Sequence, residues 1–205
     1  MIPTAPLAAR NRLAALILKA LGDEAAGAAL AALADESAAA RWVTPEERPA
    51  AAAIARRAAA AAAALAARPR PVTDGGLGSC LEAAAVLFDA GLHFETHELL
   101  EPAWAGVAGD AREALQGLIQ VAVGWQHLAN GNEAGARSLL AEGARRLHGR
   151  TLAGIALEDF ARATAAAAAR LPDVERVPPF PRRSACAGPA PTITTGEEKT
   201  RWISS

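Results

Sequence analysis

Between residues 51 and 66 the chain reads AAAIARRAAAAAAALA. Alanine is the strongest helix former of the common residues and brings little side chain to bury. A chain built on such stretches folds into helices that depend on a few large residues for their core. Those are scarce, because tyrosine is absent and the sequence holds four Phe and four Trp. No alternating apolar run is long enough to build a sheet, and no fixed period repeats. The reading is all-α: a multi-helix antiparallel bundle with an Ala-rich N-terminal helical extension.

Apolar spacing predicts helices over 7–21 and 23–41. In TPEE, Thr44 stands at an N-cap, Pro45 at the first helical position and Glu47 three residues past the cap, which starts a third helix running to about residue 68. Its large apolar residues are Ile54 and Leu65, so weak packing is expected. Further helices are expected near 79–90, 92–105, 110–130, 132–149 and 156–170. The division that follows is an extension over 1–68, a Pro- and Gly-rich linker over 69–78, a helical bundle domain over 79–171, and a mobile Pro-rich tail over 172–205.

Net charge is −1, which provides no strong field for nucleic acid or anionic lipid. Cys80 and Cys186 are far apart and form no metal-ligand spacing. Lys19 interrupts the apolar run near the N-terminus, so an amphipathic helix is expected there rather than a secretory signal. The segment 114–132 lacks Asp, Glu, Lys and Arg but contains Gln116, Gln120, Gln126, His127 and Asn130, a poor membrane span. A cytoplasmic location is the simplest expectation.

The unusual chemistry is concentrated in FDAGLHFETHELLEPAW, residues 88–104. As a helix, this segment places Phe94, His97, Glu98, Glu101 and Trp104 on one stripe. Pro102 is expected to kink or end it. In the next helix Gln116, Gln120, Val123 and His127 make a second stripe. The short turn GVAGDA makes the two helices antiparallel neighbours, so the polar seams are expected to face inward and meet. Two buried glutamates need donors or a cation. Gln amides, imidazoles, the Trp104 indole or a metal ion would supply them.

The run LFDAGLHFETHELLEPAW, with LQGLIQVAVGWQHLANGNEAGARSLLAEG after it, resembles the uncharacterised, mostly prokaryotic helical family catalogued as domain of unknown function 309. The resemblance rests on Phe88 and Gly91; on Phe94, Glu95, His97, Glu98, Glu101 and Trp104; on Gln116 to Gln120; and on Gly131, Asn132, Gly135 and Ala136. It covers about residues 80–150, departs at Pro102, and implies a small all-α bundle without an established activity.

Ligand-binding candidates are Glu95, His97, Glu98, Glu101, Trp104, Gln116, Gln120 and His127. Candidates for acid or base chemistry are Glu98, Glu101 and His97. The favoured reading needs no cofactor: a non-enzymatic, cytoplasmic, self-associating bundle, expected as a homo-oligomer, whose buried Glu/His/Gln centre organises packing. The alternative is an enzyme or binding protein using that centre on a small polar ligand or one divalent metal, held by His97, Glu101 or Glu98, and His127. HELLE lacks the second histidine of a metalloprotease helix. A ferritin-like di-iron site fails because 114–132 offers no carboxylate. His93 is expected to be exposed or capping. Arg56–Arg57 and Arg145–Arg146 are read as solvated faces, Trp104 and Trp125 as core. Gly131 and Asn132 are read as a helix end and the next N-cap, and Gly117 and Gly124 as a close helix approach.

Overall fold

The computed structural model describes residues 6–67 and 76–183. The first block contains α1 (Leu7–Lys19), α2 (Glu24–Ala32), α3 (Glu36–Trp42), a 3₁₀ turn (Pro45–Ala50) and α4 (Ala51–Ala66). The second contains α5 (Leu77–Asp89), α6 (His93–Ala105), α7 (Gly109–Ala129), α8 (Glu133–Leu147), strands β1 (Thr151–Leu152) and β2 (Ile155–Ala156), and α9 (Glu158–Ala169). The fold is all-α, as the alanine content requires, with one short hairpin. No helix among the described residues is long and apolar enough to cross a membrane.

The single helix expected over 23–41 is two. Asp23 accepts the Ala26 N–H at 3.0 Å and Asp35 accepts the Ala38 N–H at 2.9 Å, so each aspartate starts its own helix. The expected capping box forms at the 3₁₀ turn, where Glu47 accepts the Thr44 N–H at 3.0 Å. Arg12 of α1 binds the same carboxylate at 2.6 Å and ties α1 to this turn. These bonds hold Glu47 below the usual carboxylate range, Arg12 first and the Thr44 N–H next.

Two apolar clusters result. One gathers Phe88, Leu100, Leu115, Leu118, Trp125 and Phe160 around the central α7. The other gathers Leu13, Ile17, Leu30, Ile54 and Ala58 in the first block, together with Leu87 and Leu92 from α5 and the start of α6. The Ala-rich helices therefore cover one side of the α5–α6 corner.

The hairpin after α8 pairs Thr151 with Ala156 and Leu152 with Ile155. Its turn puts Ala153 and Gly154 at positive φ, the geometry that matches strand twist in a two-residue loop. With two residues per strand, it leaves no alternating pattern to find in the sequence.

The chain also departs from expectation after residue 171. Residues 172–183 do not leave the bundle. Phe180 is 2% exposed and packs against Phe88 and Phe160. Its N–H donates to Asp89 at 2.8 Å, and Arg182 pairs with Asp89 at 2.6 Å. Val174 and Val177 also pack against the core, so the Pro-rich segment is strapped down by apolar contacts and an ion pair together. Cys186 and the rest of the expected tail, like most of the expected linker, lie outside the described residues.

Candidate functional site

The expected meeting of two polar seams does not occur. On α6 the buried residues are His93, Glu95, Thr96 and Leu100. The Glu98 and Glu101 side chains are 37% and 58% exposed, and His97 is 24% exposed. The reason lies with the aromatics taken as the ends of the buried stripe. Phe94 and Trp104 are only half-buried. The Arg10 guanidinium covers the Phe94 ring at 4.1 Å, and that of Arg112 covers Trp104 at 3.8 Å. Arginine shields these rings, so they do not have to face the core. The buried face is accordingly rotated round the helix from the predicted one.

The polar centre that is buried uses other residues. Arg57 of α4 and Glu95 of α6 are 1% and 0% exposed. Arg57 Nε donates to one Glu95 oxygen at 2.7 Å and Nη2 to the other at 2.6 Å. The same Nη2 donates to Gln126 Oε1 at 3.2 Å, and Gln126 Nε2 donates to Asn130 at 3.2 Å. A planar guanidinium meeting a carboxylate at two points is the strongest neutralisation available to buried charges. Three helices, α4, α6 and α7, thus meet at one polar point.

Arg57 is therefore not on a solvated face. The sequence carries a signal for this, because Ile54, Arg57, Ala58 and Ala61 fall at i, i+3, i+4 and i+7, and all four are buried. His93 was expected at the surface and is 1% exposed. Its ring meets that of Phe88 edge-on at 4.7 Å. Neither ring nitrogen has a hydrogen-bond partner among the described residues. Burial, and then the charge of Arg57, push its pKa down to about 3, so the imidazole is neutral.

The outward cluster has its own geometry. His97 Nδ1 lies 3.3 Å from Glu98 Oε1, and His97 Nε2 lies 3.8 Å from Glu101 Oε2. One ligand atom from each of the three residues lies within 4.8 Å of the others, a set able to hold a cation. His127 takes no part in this cluster. Its Nδ1 is 2.7 Å from the Asn132 amide at the turn between α7 and α8. Gln116 and Gln120 are half-buried on α7, and Gln120 Oε1 has no partner among the described residues. Arg112 also donates to the Trp104 carbonyl at 3.0 Å, which secures the α6–α7 turn. Pro102 stays within α6, three residues before its end.

The α7–α8 corner accounts for the Gly–Asn–x–x–Gly–Ala pattern. Gly131 has φ +80°, and Asn132 caps α8 by accepting the Gly135 N–H at 2.9 Å. A Cβ on Gly135 would lie 2.6 Å from the Asn132 amide, and Ala136 is fully buried. Gly117 and Gly124 give the close approach expected of them, each facing a leucine of α8, Leu147 and Leu140. Arg146 pairs with Glu113 across α7 and α8, while its neighbour Arg145 is 70% exposed.

Residues 81–139 match the family model described as Domain of unknown function (DUF309). Every residue on which the resemblance was read lies inside that span. The DUF309 segment runs from α5 into α8 and contains Glu95 and Gln126, whereas Arg57 lies outside it. Comparison with curated proteins and with solved structures gave no match.

Proposed function

We propose that this is a non-enzymatic helical protein in which a buried polar centre fastens the Ala-rich helices onto the DUF309 helices. The observation that carries this reading is the two-point Arg57–Glu95 pair, sealed from solvent at the junction of the two blocks. Alanine helices pack with little shape to distinguish one register from another. An ion pair that must be complete before it is buried rejects every register but one. The centre lies inside a single chain and offers no residue to a second copy. Packing, rather than self-association, is the role it supports. A homo-oligomer would use other surfaces, and sedimentation would reveal it.

A partner removed from a buried pair leaves an uncompensated charge. Glu95→Ala is therefore expected to cost about 3–5 kcal/mol in chemical denaturation. Replacing both residues by methionine is expected to restore most of that loss, because the charge and its partner go together. A double variant as unstable as the single one would count against the fastening role.

The His97–Glu98–Glu101 geometry favours a second reading: one divalent cation, or a small polar ligand with Glu98 or Glu101 as acid or base. Metal analysis of the purified protein tests it. One bound ion per chain, lost in His97→Ala, would support the metal form. A metal-free protein whose stability is unmoved by added cations and by chelation would leave the packing reading alone.

A further inference from the structure

Arg137, early in α8, donates to the Ala168 carbonyl, late in α9, at 2.8 Å. His148, just past α8, lies 2.9 Å from Glu158 at the start of α9. The two helices are therefore antiparallel. Between them runs a groove of about 440 Å³ that neither functional reading uses. Its floor is alanine, with Ala141 and Ala144 from α8 and Ala161, Ala165 and Ala168 from α9. The outer face of α9 is unusual as well. A surface helix ordinarily turns polar side chains to solvent. Between Arg162 and Arg170 the exposed residues of α9 are Ala163, Ala165, Ala166 and Ala169.

The charges of this face select its partner. Glu158 and Asp159 stand in the first turn of α9, and Arg170 caps its end. Arg170 is exposed and makes no side-chain ion pair or hydrogen bond among the described residues. Arg137 lines the groove at that same end. The surface complementary to an acidic start, an alanine middle and a basic end is the same surface turned end for end. From 159 to 170 is roughly 16 Å along the helix, so a reversed copy in register satisfies both ends at once. Alanine walls let helix axes approach to about 8 Å, the near end of helix packing distances. We propose that two copies of this chain associate through the α8–α9 face about a two-fold axis. The two α9 helices lie antiparallel in a four-helix arrangement, and each Asp159 meets an Arg170 across the axis. The contact is independent of the buried Arg57–Glu95 pair.

Sedimentation equilibrium of the full chain tests this, from roughly 1 μM to roughly 0.1 mM, a span that populates any dimer of micromolar Kd. A monomer–dimer equilibrium is expected. Ala165→Lys places a long cation on the groove floor from an exposed position. It is expected to weaken the dimer by at least about tenfold, through steric clash and like charges meeting at the axis, with helix content by circular dichroism unchanged. Arg170→Glu sets like charges together at both symmetric contacts and is expected to weaken the dimer about tenfold. Asp159→Arg added to Arg170→Glu restores opposite charges and is expected to recover most of that loss. Asp159 and Arg170 are both exposed, so these reversals leave the core of the monomer intact. A full chain that stays monomeric at roughly 0.1 mM, whatever fills the groove, would overturn the proposal. So would a dimer that Ala165→Lys leaves unchanged, a double reversal that associates no better than Arg170→Glu alone, or an assembly that grows beyond two copies, because a two-fold contact closes on itself.

Discussion

His93 shows what a single residue contributes when its surroundings forbid one of its charge states. Its pKa is pushed down to about 3 in the folded chain, by burial and by the nearby Arg57, against an ordinary value of 6.5. The unfolded chain therefore binds a proton that the folded chain refuses throughout the interval between those values. Stability from this residue is complete above pH 6.5 and falls as the pH drops toward 3, at up to about 1.4 kcal/mol per pH unit. From pH 7 to pH 5 the loss is roughly 2 kcal/mol. Asp23, Glu46, Glu47 and Glu142 are held below their usual range by hydrogen bonds and titrate beneath this window. Urea midpoints at pH 7 and pH 5 are therefore expected to differ less in His93→Phe than in the unaltered protein. The same pH dependence in both proteins would mean that His93 is not held neutral. None of this was legible from the sequence. A histidine at the start of a helix resembles a surface residue until the first block and the strap are known to cover it.

At the scale of elements, α7 and α8 are packed by their glycines. A Cβ on Gly143 would stand 2.9 Å from the Gly117 carbonyl and 3.1 Å from the Val121 N. Both are backbone atoms, which cannot swing aside, so the helices would have to separate. Gly143→Ala is expected to cost about 1–3 kcal/mol. Gly27 lies within α2, and a Cβ there meets nothing within 4 Å. Gly27→Ala is expected to stabilise by about 0.5–1 kcal/mol through helix propensity and a less disordered unfolded chain. Thermal melts of the two variants should move in opposite directions; shifts of the same sign would refute the packing argument. Elements were the most legible level of this protein. The long helices fall within a few residues of their predicted ends, because Gly91, Gly131 and Asn132 mark the boundaries. The α2–α3 break falls inside the helix expected over 23–41 from apolar spacing, which does not register that Asp35 caps a new helix. The rotation of α6 was missed because Phe94 and Trp104 looked like core, and nothing local announces that Arg10 and Arg112 cover them.

For the whole molecule, the question is whether the Ala-rich block is held by apolar area alone or by the buried pair as well. Leu87 and Leu92 join its cluster, and α1 and α4 pack on α6 and α5, but alanine provides little area per helix turn. Arg57 is the residue of the first block that reaches the DUF309 segment with a full charge and finds a buried partner. A site-specific protease sequence placed between residues 68 and 75 turns this into a binding measurement, since cleavage makes the two blocks separate chains. The halves are expected to stay together on gel filtration. Glu95→Ala is then expected to weaken their association by about two orders of magnitude or more, the equivalent of about 3–5 kcal/mol. The double methionine variant should bring most of it back. Halves that part at once in the unaltered protein, or that associate equally well without Glu95, would show that the ion pair does not bind the blocks together. The value of the cut is that it separates fastening from folding. A destabilised intact chain reports both at once, whereas two associating halves report only the interface that Arg57 and Glu95 share.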